Sequence, residues 1–352
     1  MTQQTMKAVI YEQCGDPDVL TFVEDFPVPE LQRGEALVRV HAVALNGYDL
    51  MARAGRYKPN KGVFPHILGG DFAGELVALG PEAETDVSIG SRVTAWWVLP
   101  CNVCEQCLSG HHNRCAKNYR YMGAHVHGAY AQYTKVPALN LIELPDKVSF
   151  DQAAAFPNAY GTAWHMIDRA NLRPGDTVLV NSASSGVSMA AIQIAKLSGG
   201  YVYTTSSADW KLERALELGA DETINYNEVD FQEEIMKRTG KRGVDVVIEH
   251  VGGDFLDKSI RCLTRGGRLV TVGGTASYDC QIQVNYVFHK ELQIIGSNSA
   301  TKKDLELMMP FLADGRLNPV IDKIFPLAEA ADAHRYLEAA QQFGKVLLKI
   351  EH

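Results

Sequence analysis

These 352 residues contain no uninterrupted apolar stretch of about 18, the minimum for a bilayer span. The segment Met1 to Met6 is polar, and no cationic region leads into an apolar one, so a secretory leader is not expected. An excess of basic residues is missing too. With 34 Lys and Arg against 42 Asp and Glu, the formal charge is -8, which gives no general attraction to nucleic acid or acidic membranes. Cysteines are few and odd in number, seven in all, which fits a disulfide framework poorly. Internal repeats and low-complexity tracts are absent. What is left is the composition of a soluble globular protein, 46% hydrophobic and 22% charged, long enough for two domains and expected in the cytoplasm.

Four of the seven cysteines, Cys101, Cys104, Cys107 and Cys115, fall within fifteen residues. The other three, Cys14, Cys262 and Cys280, are scattered. Thiolates at that spacing can wrap one tetrahedral zinc ion and leave no open coordination position, so the expected metal is structural. A disulfide pair or four buried free thiols are the alternatives.

The first 140 residues read as short strands between Gly and Pro turns. Among them are Ala36–Val40, Phe72–Leu79, Gly90–Ala95 and Gly128–Tyr133, a pattern of a partly open β-barrel. Around residue 150 the texture changes to alternating strands and helices. Strands are expected at Asp176–Val180, Tyr201–Thr205, Thr223–Asn225, Val244–Ile248, Arg268–Val272 and Glu291–Ile295, with helices at Ser188–Leu197 and Asp209–Leu218. This rhythm predicts an α/β domain built on a doubly wound parallel sheet. The final strand, Lys345–Ile350, is expected to rejoin the first domain.

Ser182 to Ser188 joins the first of these strands to its helix through small residues. Backbone N–H groups at that helix start would face a dinucleotide pyrophosphate, making Ala183, Ser184, Ser185, Gly186 and Val187 candidate contacts. Ala183, Ser185 and Ser188 stand where a glycine fingerprint has glycines, so the motif depends on its strand–turn–helix context. The second strand ends in Thr204-Thr205-Ser206-Ser207, with no acid before Asp209 to bind a ribose hydroxyl. Lys211 and neighbouring hydroxyls such as Ser206 suit the extra phosphate of NADP(H). A solvated helix lysine is the alternative for Lys211. Tyr226, His250, Gly273 and Ser297, at the ends of later strands, complete the cofactor set; His250 may equally be a satisfied strand-end histidine.

Taken together, the cysteine loop, Gly128–Tyr133, Gly161-Thr162-Ala163-Trp164, the βαβ series and Gly344-Lys345-Val346 resemble the medium-chain dehydrogenase/reductase superfamily, which includes zinc alcohol dehydrogenases and quinone reductases. The resemblance covers essentially the whole chain. It implies a GroES-like domain from 1–140 and 298–352, carrying the structural zinc loop at about 100–116, and a Rossmann NADP-binding domain at 141–297. It also implies substrate in the cleft between them and a homodimer or homotetramer, with the sixth strand a candidate for pairing across the dimer. Zinc alcohol dehydrogenases hold a second, catalytic zinc. By the same resemblance, its ligand positions fall here on Asn46, Gly70 and Asn158. Two carboxamides and a glycine do not supply the N/S set zinc prefers, and Asp71 alone would hold an ion weakly.

The pattern Asn46-x-x-Asp49, with Arg53, Gly55 and Tyr57 following, is instead similar to the zinc-independent quinone reductases and enoyl-thioester reductases. The implied activity is NADPH-dependent reduction of an activated C=C bond or a quinone. Tyr57 and Tyr48 are candidate hydrogen-bond donors or proton carriers, since a phenol stays protonated near neutral pH. Asn46 could bind substrate or ribose, or fix its loop, and Thr162 would border the nicotinamide. The basic run Arg53, Arg56, Lys58 and Lys61 could attract acyl-CoA phosphates or be a solvated loop. His125-x-His127 has metal-like spacing without a third ligand and reads as loop or surface. A zinc-dependent alcohol or aldehyde dehydrogenase and a non-catalytic NADPH-binding protein remain as alternatives.

Overall fold

Val178, Leu179 and Val180 have no exposed surface, as a strand covered on both faces requires. In the computed structural model, which describes residues 4–56, 64–117 and 119–352, this run lies inside a six-stranded parallel sheet. The order is Glu222–Asn225, Tyr201–Ser206, Thr177–Val180, Val244–Glu249, Leu263–Thr271 and Gln293–Gly296. One helix separates each consecutive pair along the chain: Gly186–Leu197, Asp209–Glu217, Phe231–Arg238, Asp254–Cys262 and Val284–His289. Strand order therefore reverses between Thr177–Val180 and Val244–Glu249. At such a switch point the loops after both strands open to one crevice, where open α/β sheets bind ligands.

The other unit is built on a seven-stranded sheet running Ile321–Pro326, Lys345–Lys349, Glu35–Ala44, Asp71–Leu79, Arg92–Ala95 and Leu141–Glu143. Tyr133–Pro137 also pairs with Glu35–Ala44. The path is open, not a closed barrel. Its terminal strand is antiparallel to Glu35–Ala44, with Leu347 opposite Ala44.

The two units divide at Asn158/Ala159 and Ala300/Thr301. The expected boundaries at 140/141 and 297/298 are thus displaced. Leu141–Glu143 is a strand of the first unit, paired with Arg92–Ala95, and helix Phe150–Ala155 packs on Glu35–Ala44 and Asp71–Leu79. A second difference concerns Gly128–Tyr133, where regular strand begins only at Tyr133. Gly128 passes so close to the neighbouring backbone that a Cβ there would lie 2.3 Å from Leu68 O. Among the described residues, no helix is long and apolar enough to cross a membrane.

Candidate active site and cysteine cluster

Helix Gly47–Arg53 begins at Asn46, whose backbone N–H donates to Asp49 Oδ2 at 2.8 Å. The Gly69 N–H donates to Asp49 Oδ1 at 3.1 Å. This carboxylate therefore fixes the helix start against the turn leading into Asp71–Leu79. Next to it, the Asn46 amide donates from Nδ2 to Asp71 Oδ2 (3.0 Å) and accepts at Oδ1 from Lys345 Nζ (2.6 Å). Lys345 also donates to Leu45 O at 2.8 Å, and Asn158 N–H donates to Asp71 Oδ2 at 3.2 Å. Asp71 Oδ1 is buried with no hydrogen-bond partner. Two carboxylates and one ammonium thus share a site closed to water.

Burial dominates the electrostatics of this cluster. It pushes Asp49 up to about 7 and Asp71 up to about 6, opposed by backbone N–H groups at Asp49 and by Lys345 at Asp71. Burial also pushes Lys345 down, against the pull of Asp71 and Asp49. Both partners are held toward neutrality, which marks a buried ion pair whose attraction is largely offset by desolvation.

Tyr48 lies on the same helix and is 9% exposed. Its hydroxyl donates to Met122 O at 3.2 Å. Burial, with Asp49 and Asp71 nearby, raises its pKa well above the ordinary 10, so the phenol stays neutral and able to donate. Trp97 stacks on the Tyr48 ring at 5.3 Å and 11°, and Tyr121 stacks on Trp97 at 4.5 Å.

Trp97 and Tyr121 belong to the stem of the cysteine loop. The stem pairs Val98 with Tyr121 and Leu99 with Arg120, and Met122 N–H donates to Trp97 O at 3.0 Å. Asn140 clamps it by donating to Trp96 O (2.7 Å) and Val98 O (2.8 Å). At its head, one ligand atom from each of Cys101, Cys104, Cys107 and Cys115 lies within 4.8 Å of the others. The sulfur separations are 3.9 Å for Cys101–Cys107 and 3.4 Å for Cys104–Cys107. A tetrahedral zinc with four bonds of about 2.3 Å requires sulfurs about 3.8 Å apart, so the residues fit that ion.

The positions matched to a second zinc do not fit one. The Asn46 amide is engaged on both sides, Gly70 has no side chain, and the Tyr48 hydroxyl fills the space in front of it. Among the described residues, the four cysteines form the only group of three or more potential metal-ligating side chains.

In the sheet unit, Ser182 turns at φ +62° and Ser185 caps helix Gly186–Leu197. Ala183 N–H donates to Thr205 O at 2.8 Å, while Ser184 through Val187 are only partly buried. Backbone N–H groups at a helix start of this kind can receive a phosphate. Ser188, at the last fingerprint position, gives its hydroxyl proton to Asn181 O (2.6 Å) and so accepts from His250 Nε2 (2.7 Å). His250 is buried, and burial pulls it down to about 4, so it is the neutral, satisfied histidine of the two readings. A cavity of about 330 Å³ lies at the ends of the fourth and fifth strands, lined by Glu249, Gly252, Thr271, Gly273 and Tyr278.

Ser206 is buried at the end of the second strand and Lys211 is 7% exposed, so Lys211 is not a solvated helix lysine. Asp209 is engaged by Asn225 Nδ2 at 2.8 Å. Tyr226 is half-buried against Phe255, and the Ser297 hydroxyl is buried with no partner. Thr162 is 6% exposed in helix Pro157–Arg169.

Several expectations change. Arg53 does not rim a cleft: it is 2% exposed, paired with Glu338 and bonded to Gly15 O and His334. Tyr57, Lys58 and Lys61 lie outside the described residues. His125 lies in a turn and His127 in the exposed coil after it, as the loop reading expects, and their rings accept from Tyr121 N–H (2.9 Å) and Ile67 N–H (3.3 Å). Sequence reasoning did not single out Lys345 as a site residue, nor Trp97, Tyr121 and Met122. Lys345 had a signal in the Gly344-Lys345-Val346 motif; the others are brought to Tyr48 only by the fold.

Residues 32–146 match the alcohol dehydrogenase GroES-like domain family, and residues 186–314 the zinc-binding dehydrogenase family. The acryloyl-coenzyme A reductase of Metallosphaera sedula is 32% identical, covering 97% of this chain and 99% of the relative. The chain belongs to the medium-chain dehydrogenase/reductase superfamily. The human quinone oxidoreductase, another relative, is 30% identical over 98% of both chains. A crystal structure described as an NAD-dependent alcohol dehydrogenase superposes with a TM-score of 0.94 at 42% identity, covering 98% of this chain and 100% of that one. This medium-chain protein is an oxidoreductase combining a GroES-like domain with a Rossmann-like sheet.

Proposed function

We propose that this protein uses NADPH to reduce an activated, carbonyl-conjugated C=C bond, as in an enoyl thioester or enone, or a quinone, with no metal at the reacting centre. The observation that carries the reading is the cluster at Asn46, Gly70 and Asp71. Its groups are bonded to one another and to Lys345, and a phenol fills the remaining space. Without a Lewis acid, the acceptor must already be electrophilic, and a conjugated carbonyl or a quinone meets that need.

NADPH, when bound, supplies hydride to the β-carbon, and negative charge moves to the carbonyl oxygen. The Tyr48 O–H, which donates to Met122 O in the free protein, can turn to that oxygen. A donor so placed is worth about 3 kcal/mol in the transition state. Trp97 holds the ring plane, while Asn46, Asp71 and Lys345 act behind it as positioning residues. A proton must then reach the α-carbon, or oxygen in a quinone, and Tyr57 is a candidate to deliver it on the family resemblance. The four cysteines hold one structural zinc per chain.

Lys211, Ser206 and Tyr226 are assigned to the 2′-phosphate. Lys211→Ala is expected to raise the KM for NADPH by about 10–100-fold, the loss of a charge-assisted bond, with little change for NADH. Equal effects on both cofactors in steady-state kinetics would remove that assignment.

A homodimer, or a homotetramer built from it, is also proposed. Gln293–Gly296 is an edge strand with Ile294 42% exposed, and Val284 and Phe288 are each 62% exposed. Ile294→Lys is expected to shift the mass measured by light scattering toward the monomer.

The rival reading is a zinc-dependent, NAD-linked alcohol dehydrogenase, which the name of the 42% identical structure favours. NADPH oxidation with crotonyl-CoA, acrylyl-CoA, a simple enone and naphthoquinone, with metal analysis of the same sample, separates the two. Turnover with one zinc per chain is expected. Two zinc ions per chain would contradict the reading, and no turnover on the panel would favour a non-catalytic NADPH-binding protein.

A further inference from the structure

Gly70 adjoins the buried cluster but contributes no side chain to it. An ideal Cβ built there would stand 1.8 Å from the Tyr48 hydroxyl, 3.0 Å from its Cζ and 2.9 Å from Met122 O. Such separations are far inside contact distance, so any L side chain at 70 must displace the phenol or the Met122 carbonyl. Gly70 does not have a positive φ, so backbone conformation gives no reason for glycine. The close approach does.

The same hydroxyl is held in place by donating to Met122 O at 3.2 Å. Its ring cannot simply move aside, because Trp97 is stacked on it. Residue 70 thus supplies the room for the phenolic oxygen.

We propose that Gly70 is a positioning residue for Tyr48: the absent side chain is the seat of the hydroxyl, and the two residues act as one device. The position that the family resemblance matches to a zinc ligand is here a socket for a phenol. A side chain returned to position 70 evicts Tyr48 before it can serve any other purpose. The proposal rests on Tyr48 being the oxygen donor of the proposed reaction.

Four proteins test it: wild type, Gly70→Ala, Tyr48→Phe and the double variant, each assayed for kcat on the best conjugated substrate, KM for NADPH and thermal midpoint. Gly70→Ala is expected to lower kcat by about 10²-fold, the size of effect that misplacing a reacting group produces, with the KM for NADPH unchanged. In the Tyr48→Phe background the same change should alter kcat by less than about threefold, because the two act as a unit. Independent, multiplying losses would overturn the proposal. If Tyr48→Phe leaves kcat unchanged, the donor reading fails and the thermal midpoints still judge the seat. Gly70→Ala should lower the midpoint by about 5 °C beside tyrosine and much less beside phenylalanine; equal losses in both backgrounds overturn it. If Gly70→Ala yields no folded protein, its recovery by Tyr48→Phe supports the seat, and no recovery counts against it.

Discussion

Lys345→Met is expected to destabilise the first unit by about 3–5 kcal/mol above about pH 7.5, and by little near pH 4, in urea melts across that range. The ammonium is fully buried and bonded to the Asn46 amide, and the Asp71 carboxylate it attracts has one oxygen with no partner. Removing the cation leaves Asp71 and Asp49 as uncompensated buried charges. Breaking a buried pair costs far more than replacing both members by apolar groups.

The sign with pH follows from the carboxyls. Burial raises Asp71 to about 6 and Asp49 to about 7 from the ordinary 3.8 of an aspartate, so between about pH 4 and 7 the folded protein binds more protons than the unfolded chain. These two groups therefore stabilise the fold in acid, and that contribution is lost as pH rises through their folded values. Without Lys345, Asp71 rises further, the loss becomes larger, and the gap to wild type widens with pH. Where Asp71 is protonated, the lysine has no charged partner there, so methionine costs little. A deficit independent of pH would mean that Lys345 acts through packing alone.

Cys104→Ser is expected to take bound zinc from one per chain to none and to lower turnover by about 10²-fold, with NADPH binding intact. The chemical connection is the loop stem. The cysteine head closes the loop whose stem presents Trp97, Tyr121 and the Met122 carbonyl, and these three hold the Tyr48 ring and hydroxyl. An unclamped stem lets the phenol leave its position. Metal analysis, tryptophan fluorescence and fluorescence titration with NADPH check the three parts separately. Zinc loss with full turnover would reduce the metal to a brace for the loop alone.

The parallel sheet was legible because buried runs such as Val178-Leu179-Val180 and the helices between them repeat with the right lengths. The cysteine cluster was legible because its four ligands fall within fifteen residues of sequence. Two other elements were not. Leu141–Glu143 lies past the expected boundary and Phe150–Ala155 at the apparent change of texture, yet both pack with the first unit, since pairing with Arg92–Ala95 outweighs sequence adjacency. The site itself was half legible. Asn46, Tyr48 and Gly70 stand in readable motifs, but Lys345 reaches Asn46 from 299 residues away and Met122 meets Tyr48 from 74 away. Such contacts are made by strand order, which no local pattern records. Arg53 looked like part of a basic rim; its pairing with Glu338 on the C-terminal helix put it in the interior instead.

The central claim is reduction of conjugated acceptors by a phenol-lined site without a reacting metal. The most direct test is the ratio of kcat/KM for 3-buten-2-one to that for butan-2-one, with NADPH, on protein of known zinc content. The account predicts a preference for the conjugated ketone of about 10³-fold or more, equivalent to roughly 4 kcal/mol, at one zinc per chain. Comparable rates on the saturated ketone, with two zinc ions per chain, would contradict it.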